Sequence, residues 1–350
     1  MPDLDNLRVL YVDTISTPHA MTNTHGILSA YRKVGSVKTF DYRAVSRHLG
    51  PKVPWSRPEI WNEERWEPMV TRALRRTNSA LLKEARWYRP NFIHLGKCEL
   101  ITGRTAKLLK IITPAYLAHF YGDLSRSVKP WVKDIGQHAD ITLLYHRDPK
   151  ICREHLEAGC NRVGFWWVGT DPAVFYPREV KEKDHSLVFM GRPIRESGDE
   201  RRATLIAMAQ GNVVPHVYGG NWEDLPSGIH CHQFVDEDAF AWACSRAKIA
   251  LSINASNVLM YASWRRIFNT MACGTLVLVK YFPGLSTVFE NKKHLVWYHT
   301  KEEAVQLARY YMNATKEQEQ IAEAGRQEVL AHHTWDHRIS EILSFANDTN

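Results

Sequence analysis

"SWRRIFNTMACGTLVLVKYFPGLSTVF", residues 263–289, sets two arginines and an asparagine on a helix-like segment. It breaks at Cys273–Gly274 and then enters an aliphatic run. Such a run, without alternation, reads as a strand buried on both faces, the habit of parallel sheets. Arg265, Arg266 and Asn269 directly before that strand need a reason. A pocket for phosphate and sugar at the carboxyl edge of the sheet supplies one, because guanidinium groups clamp phosphate oxygens.

The same rhythm extends upstream. "LVFMG" (187–191), "VVPHVYG" and "IALSIN" read as strands, with helices at "RRATLIAMAQ" and "DEDAFAWACSRA" between them. Downstream, "HLVWYH" is a last strand before helices that run nearly to the end. The first half repeats the alternation, with strands at 7–13, 37–42, 91–96, 115–122, 141–146 and 163–169 and an amphipathic helix at 67–88. "TDPAVFYPREVKEKDHS" (170–186) reads as a linker. Strand–helix alternation of this kind indicates parallel, doubly wound sheets. The expected fold is therefore α/β with two Rossmann-like domains. Residues 1–169 form the first and 170–330 the second, and 331–350 form a C-terminal helix packing back on the first. Residues 51–66, rich in Pro and Trp, read as a loop whose Trp55, Trp61 and Trp66 pin it in place.

In such sheets ligands bind beyond the carboxyl ends of the strands. In the second half those ends are small or polar: Gly191–Arg192, "YGGNW" (218–222) and "INASN" (253–257). The expected donor-binding residues are Gly191, Arg192, Gly219, Asn254, Arg265, Arg266, Asn269 and Gly274. Neither a P-loop nor a G-x-G-x-x-G fingerprint occurs. "DED" at 236–238 opens a helix and reads as capping carboxylates.

At 350 residues, 44% hydrophobic and 24% charged, the chain is globular and suits two domains. Its six cysteines show no C-x-x-C pair or zinc-ligand spacing and read as reduced, mostly buried thiols. No apolar run approaches the roughly 18 residues of a membrane span, and the N-terminus carries no signal-peptide pattern, so the expected location is cytoplasmic. The net charge of +7 suits an anionic partner.

Several features fall in the order of a known family. Arg266, Phe268, Ala272, Cys273, Gly274, Phe289, Ile321, Ala322, Gly325, His333, Thr334, Trp335 and Arg338 follow the pattern of CgeB-like (spore-maturation) glycosyltransferases of the GT-B superfamily, and "TDPAVFYP" is similar to their interdomain segment. The resemblance covers residues 170–345. It departs from retaining GT-B enzymes at Tyr261 and Asn269, where two glutamates are usual, which leaves the stereochemical course open. The resemblance implies two domains facing a cleft and a nucleotide-sugar donor, expected to be a UDP-sugar. It also implies a hydroxyl acceptor, no tightly bound cofactor and no metal requirement. Arg192 and Arg266 would meet the diphosphate, with Arg265 and Arg201 as second choices. The base would come from the first domain: His25 or Asp123, then His19 and Asp13. His333 reads as a helix-packing or domain-closing residue. The basic charge makes a hydroxymethylated pyrimidine in DNA, as bacteriophages carry, one acceptor; polysaccharide, lipid-linked sugar or protein is the alternative. An inactive scaffold that binds nucleic acid or a partner is the non-enzymatic reading.

Overall fold

Among the described residues, twelve segments form parallel strands in two sheets, most of them aliphatic or aromatic runs with helices between them. The computed structural model describes residues 6–15, 23–49, 67–122, 127–145, 147–193, 200–220, 222, 225–233, 235–254 and 264–347. The chain divides into two compact units. One holds Thr22–Trp166 with Met1–Pro18 and Ile339–Asn350, and the other holds Trp167–Arg338.

The first unit runs β1 (Arg8–Asp13), α1 (Thr24–Val34), β2 (Ser36–Asp41), α2 (Tyr42–Leu49), α3 (Glu67–Tyr88), β3 (Phe92–Leu95), α4 (Gly103–Ile112), β4 (Tyr116–Tyr121), α5 (Pro130–Gly136), β5 (Ile141–Leu144), α6 (Pro149–Glu157) and β6 (Val163–Phe165). Its strand order is β2-β1-β3-β4-β5-β6, parallel throughout. Every residue of β3, β4 and β5 is buried, as strands covered on both faces must be. Leu10, Val12, Ile93, Leu95, Leu117 and Leu109 form the centre of the core. Each such side chain contributes about 1.5–3 kcal/mol by leaving water.

The second unit runs β7 (His185–Met190), α7 (Glu200–Gln210), β8 (Pro215–Tyr218), β9 (His230–His232), α8 (Glu237–Ser245), β10 (Ala247–Ser252), α9 (Trp264–Ala272), β11 (Leu276–Lys280), β12 (Val296–Tyr298), α10 (Lys301–Asn313) and α11 (Thr315–His332); α12 (Trp335–Asn347) follows, and from Ile339 it is counted with the first unit. Its order is β12-β11-β10-β7-β8-β9, again parallel. This is the doubly wound order in which the chain winds outward, returns and winds the other way. The reversal falls between β7 and β10 here, and between β1 and β3 in the first sheet.

Local chemistry fixes the helix starts. Asp148 caps α6 by accepting from Lys150 N at 2.9 Å, with Pro149 in the first turn. Asp236 caps α8 through Ala239 N at 2.9 Å, the role expected of the acidic triplet. Two elements differ from the sequence expectation. Tyr42 opens α2 instead of closing a strand, because Asp41 accepts from the Arg43 and Ala44 amides and caps the helix. The edge strand β9 was not expected, since His-Cys-His carries no apolar signal.

Cys98, Cys160, Cys244 and Cys273 are buried, Cys152 is half-buried and Cys231 is exposed; all are free thiols. Burial pushes the Cys160 thiol up. A hydrogen bond with Cys244, then burial, pushes Cys273 up. Neither is a thiolate nucleophile at neutral pH. Among the described residues no helix is long and apolar enough to cross a membrane.

Candidate functional site

Three strand ends and one helix meet where the second sheet reverses its winding. β7 runs into Gly191–Arg192, β8 into Gly219, and β10 into Ile253–Asn254. Gly219 has φ +145°, and a side chain there would collide with the Gly191 carbonyl, so the two strand ends touch backbone to backbone. A side chain at Gly191 would stand 3.2 Å from Arg266 Nη2. The glycine thus leaves room for that guanidinium, which also donates from Nη1 to Ile253 O at 3.2 Å and lies 5.7 Å from the Phe189 ring centre.

Arg201 ties the same ends together. Its Nε and Nη2 donate to Ile253 O at 3.1 and 2.8 Å, and its Nη1 donates to Arg192 O at 2.6 Å. Burial lowers its pKa to about 10, so it stays charged at neutral pH. Three of its five N–H donors go to backbone carbonyls, so it holds the site's frame. Trp222 adds an indole hydrogen bond to Gly191 O at 2.8 Å, an interaction the sequence did not announce.

Two buried amides complete the set. Asn254 and Asn269 are each 1% exposed. Among the described residues, Asn254 Oδ1 and Nδ2 and Asn269 Oδ1 have no hydrogen-bond partner. Leaving a buried polar group unpaired costs about 1–3 kcal/mol, which a polar group reaching these atoms would recover.

Of the residues singled out in the sequence, Gly191, Arg192, Gly219 and Arg266 therefore stand together, with Asn254 next along the chain from Ile253 and Asn269 three residues after Arg266 on α9. Arg265 turns elsewhere, with Nη2 3.3 Å from Glu237 Oε1 on α8. Gly274 is also a correction. It follows the carboxyl end of α9, at the opposite edge of the sheet from the other glycines, with φ +69° and Pro177 beside it. Gly274 stops a helix; the left-handed backbone it adopts is why glycine stands there.

The first sheet has its own feature at its reversal. Asp13 ends β1 beside Gly96, where any side chain would collide with its carboxylate. Tyr11 donates to Asp13 Oδ2 at 2.8 Å and Thr14 N to Oδ1 at 2.7 Å. Burial nonetheless raises its pKa to about 6, against the pull of those hydrogen bonds. Close by in the chain, Glu99 accepts from Tyr42 at 2.5 Å and from Arg43 Nε at 2.9 Å. His25 is exposed near the start of α1. His19, Asp123, Tyr261, Trp55, Trp61 and Trp66 lie outside the described residues.

Solved structures superpose on this architecture over nearly the full chain. Anabaena HepE in complex with UDP-glucose has a TM-score of 0.64 at 14% identity, covering 97% of this chain and 100% of its own. Sucrose-phosphate synthase of Thermosynechococcus elongatus has 0.64 at 14%, covering 98% of each chain. A glycosyltransferase of Rickettsia africae has 0.62 at 10%, covering 98% and 100%. This is the GT-B fold. Within it, residues 200–344 match the family described as glycosyl transferase-like, a span that contains Gly219, Asn254, Arg266 and Asn269. The comparison with curated protein sequences returns no match. The GT-B fold and the matched family agree with the superfamily that the motif order suggested.

Proposed function

We propose that this chain is a nucleotide-sugar-dependent glycosyltransferase, of the UDP-sugar class, acting on a hydroxyl acceptor. The observation that carries the proposal is the meeting of Gly191, Gly219 and the Arg266 guanidinium at the sheet's reversal, beside two buried asparagines with unpaired amide atoms. A diphosphate leaving group needs its developing charge stabilised, and Arg266, with Arg192 on the neighbouring strand end, supplies it; Asn254 and Asn269 bind sugar or ribose hydroxyls. Asn269 takes the place of a carboxylate while keeping hydrogen-bonding capacity. In this reading residues 170–330 bind the donor and 1–169 the acceptor. The ordered motifs through His333–Arg338 support placing it with the CgeB-like enzymes. The described candidates for the base are Asp13 and His25; Asp123 and His19 stand as the sequence proposes them.

The acceptor reading favoured by one further observation is DNA bearing a hydroxymethylated pyrimidine. Arg72, Arg75, Lys83 and Arg86 are all exposed and fall on one face of α3, at helical spacing, with Trp87 73% exposed at its edge. A basic face with an aromatic suits a polyanion better than a neutral glycan.

A thermal-shift panel of nucleotide-sugars tests the donor. One member, expected to be a UDP-sugar, raises the melting temperature by binding only the native state. Arg266→Ala removes that shift and lowers kcat/KM about 100-fold or more. No shift with any nucleotide-sugar, together with tight DNA binding, selects the inactive scaffold instead.

A further inference from the structure

At the other end of β7 the second sheet carries a group of imidazoles that the donor site does not use. His185 opens β7, His216 lies in β8 and His232 closes β9. One ring nitrogen from each lies within 4.8 Å of the other two. His216 Nδ1 and His232 Nε2 are 3.3 Å apart. The His185 and His216 rings stack at 3.6 Å and 12°. His185 is buried, His216 and His232 are half-buried, and exposed His230 stacks on His216 at 4.7 Å, so the group is open to solvent on one side.

Protonated imidazoles stacked this closely would repel, so the group is best filled by neutral rings. The facing nitrogens of His216 and His232 then share one proton in a hydrogen bond, and a metal ion can take that proton's place by binding both lone pairs. Two nitrogens bound tetrahedrally at about 2.0–2.1 Å stand roughly 3.4 Å apart, close to the His216–His232 pair at 3.3 Å; His185, stacked on His216, joins them by turning its ring. A carboxylate stands beside the group, although His185 Nδ1 makes no hydrogen bond to it. His185 Nδ1 is 3.0 Å from Asp184 Oδ1, and Arg246 Nε holds Asp184 at 2.9 Å. His185 Nε2 meets the Tyr218 hydroxyl at 3.0 Å, an oxygen beside the candidate ligands.

We propose that His185, His216 and His232 form a three-histidine site for a divalent transition-metal ion of the zinc class, fastening edge strand β9 to β8 and β7. Imidazole suits zinc, copper and nickel and disfavours magnesium and calcium, which take oxygen ligands. The role is structural: His185 and Gly191 stand six residues apart on one strand, about 20 Å, so the ion is remote from the donor-binding residues. β9 has three residues and pairs only with β8, so a link to its neighbours is worth most there.

The test is a titration of the chelator-treated, full-length protein with Co2+, followed by displacement with Zn2+. The visible absorption of four-coordinate Co2+ is expected at one ion per chain, bleached by Zn2+. His216→Gln and His232→Gln each weaken binding tenfold or more, whereas His299→Gln, an exposed histidine elsewhere, binds as the parent does. Zn2+ is also expected to slow amide exchange in residues 230–232 of the parent protein, a readout that needs no variant to fold. Binding that is unchanged in both variants, Co2+ spectra of the hydrated ion alone, or unchanged exchange at β9 overturns the site. None of these outcomes depends on glycosyl transfer.

Discussion

At the scale of single residues, neighbouring arginines divide into different tasks. Arg201 spends three donors on the Ile253 and Arg192 carbonyls, Arg265 pairs with Glu237, and Arg266 stands against Gly191. Nothing in "RR" distinguishes Arg265 from Arg266 except the helix face each occupies. Asp13 was visible in the sequence as a polar strand end; its enclosure beside Gly96 was not. Its raised pKa has a signed consequence. The folded state holds the Asp13 proton up to about pH 6, the unfolded chain only to about 4. Stability from this group is present below the unfolded value and lost as pH rises through the folded one. Between pH 4 and pH 7 the wild type therefore loses about 2 kcal/mol relative to Asp13→Asn. Urea denaturation of both proteins at each pH reads the difference; curves that stay parallel reject the enclosure.

At the scale of elements, the later motif residues that resemble a family, Gly325 and His333 to Arg338, turn out to be packing devices. Arg338 donates from Nε to Val168 O at 3.1 Å and from Nη2 to His333 Nδ1 at 2.8 Å. Because arginine only donates, His333 Nδ1 is the acceptor and its proton sits on Nε2. His333 lies flat on Phe268 at 4.6 Å, and burial lowers its pKa to about 3. It is a packing residue, as its helical context suggested. Thr170 and Trp335 exchange backbone hydrogen bonds around it, Thr170 N to His333 O and Trp335 N to Thr170 O. Gly325 on α11 has the Met271 side chain of α9 beside it, and a methyl there would collide with the His294 carbonyl. Gly325→Ala is therefore expected to destabilise the protein by about 1–3 kcal/mol, measured by chemical denaturation, through a clash that backbone movement must relieve. A neutral result would mean that α11 can shift freely.

At the scale of the whole molecule, charge is the property that composition announced and folding distributed. A net +7 does not say where the charges gather; the period of α3 places Arg72, Arg75, Lys83 and Arg86 on one exposed face. Replacing these four by glutamine is expected to weaken binding to duplex DNA and to flatten the slope of log affinity against log salt by up to about 4, since each phosphate no longer neutralised lowers it by about one. An unchanged slope in filter binding across a salt series would move the acceptor away from DNA. The alternation of strand and helix was legible from the sequence because buried parallel strands must be continuously apolar and the helices between them amphipathic. Gly191, Gly219 and Arg266 were legible for a related reason: the proposed donor site needs strand ends that are small or polar. The sequence alone thus determined the two doubly wound sheets and most of the edge that carries the candidate site. It could not separate Gly274, a helix stop, from Gly191, a gap for a guanidinium, since both are glycines at the end of an element. Nor could it bring His185, His216 and His232 together from places up to 47 residues apart. Strand order decided both, because only pairing across the sheet sets which distant residues share an edge.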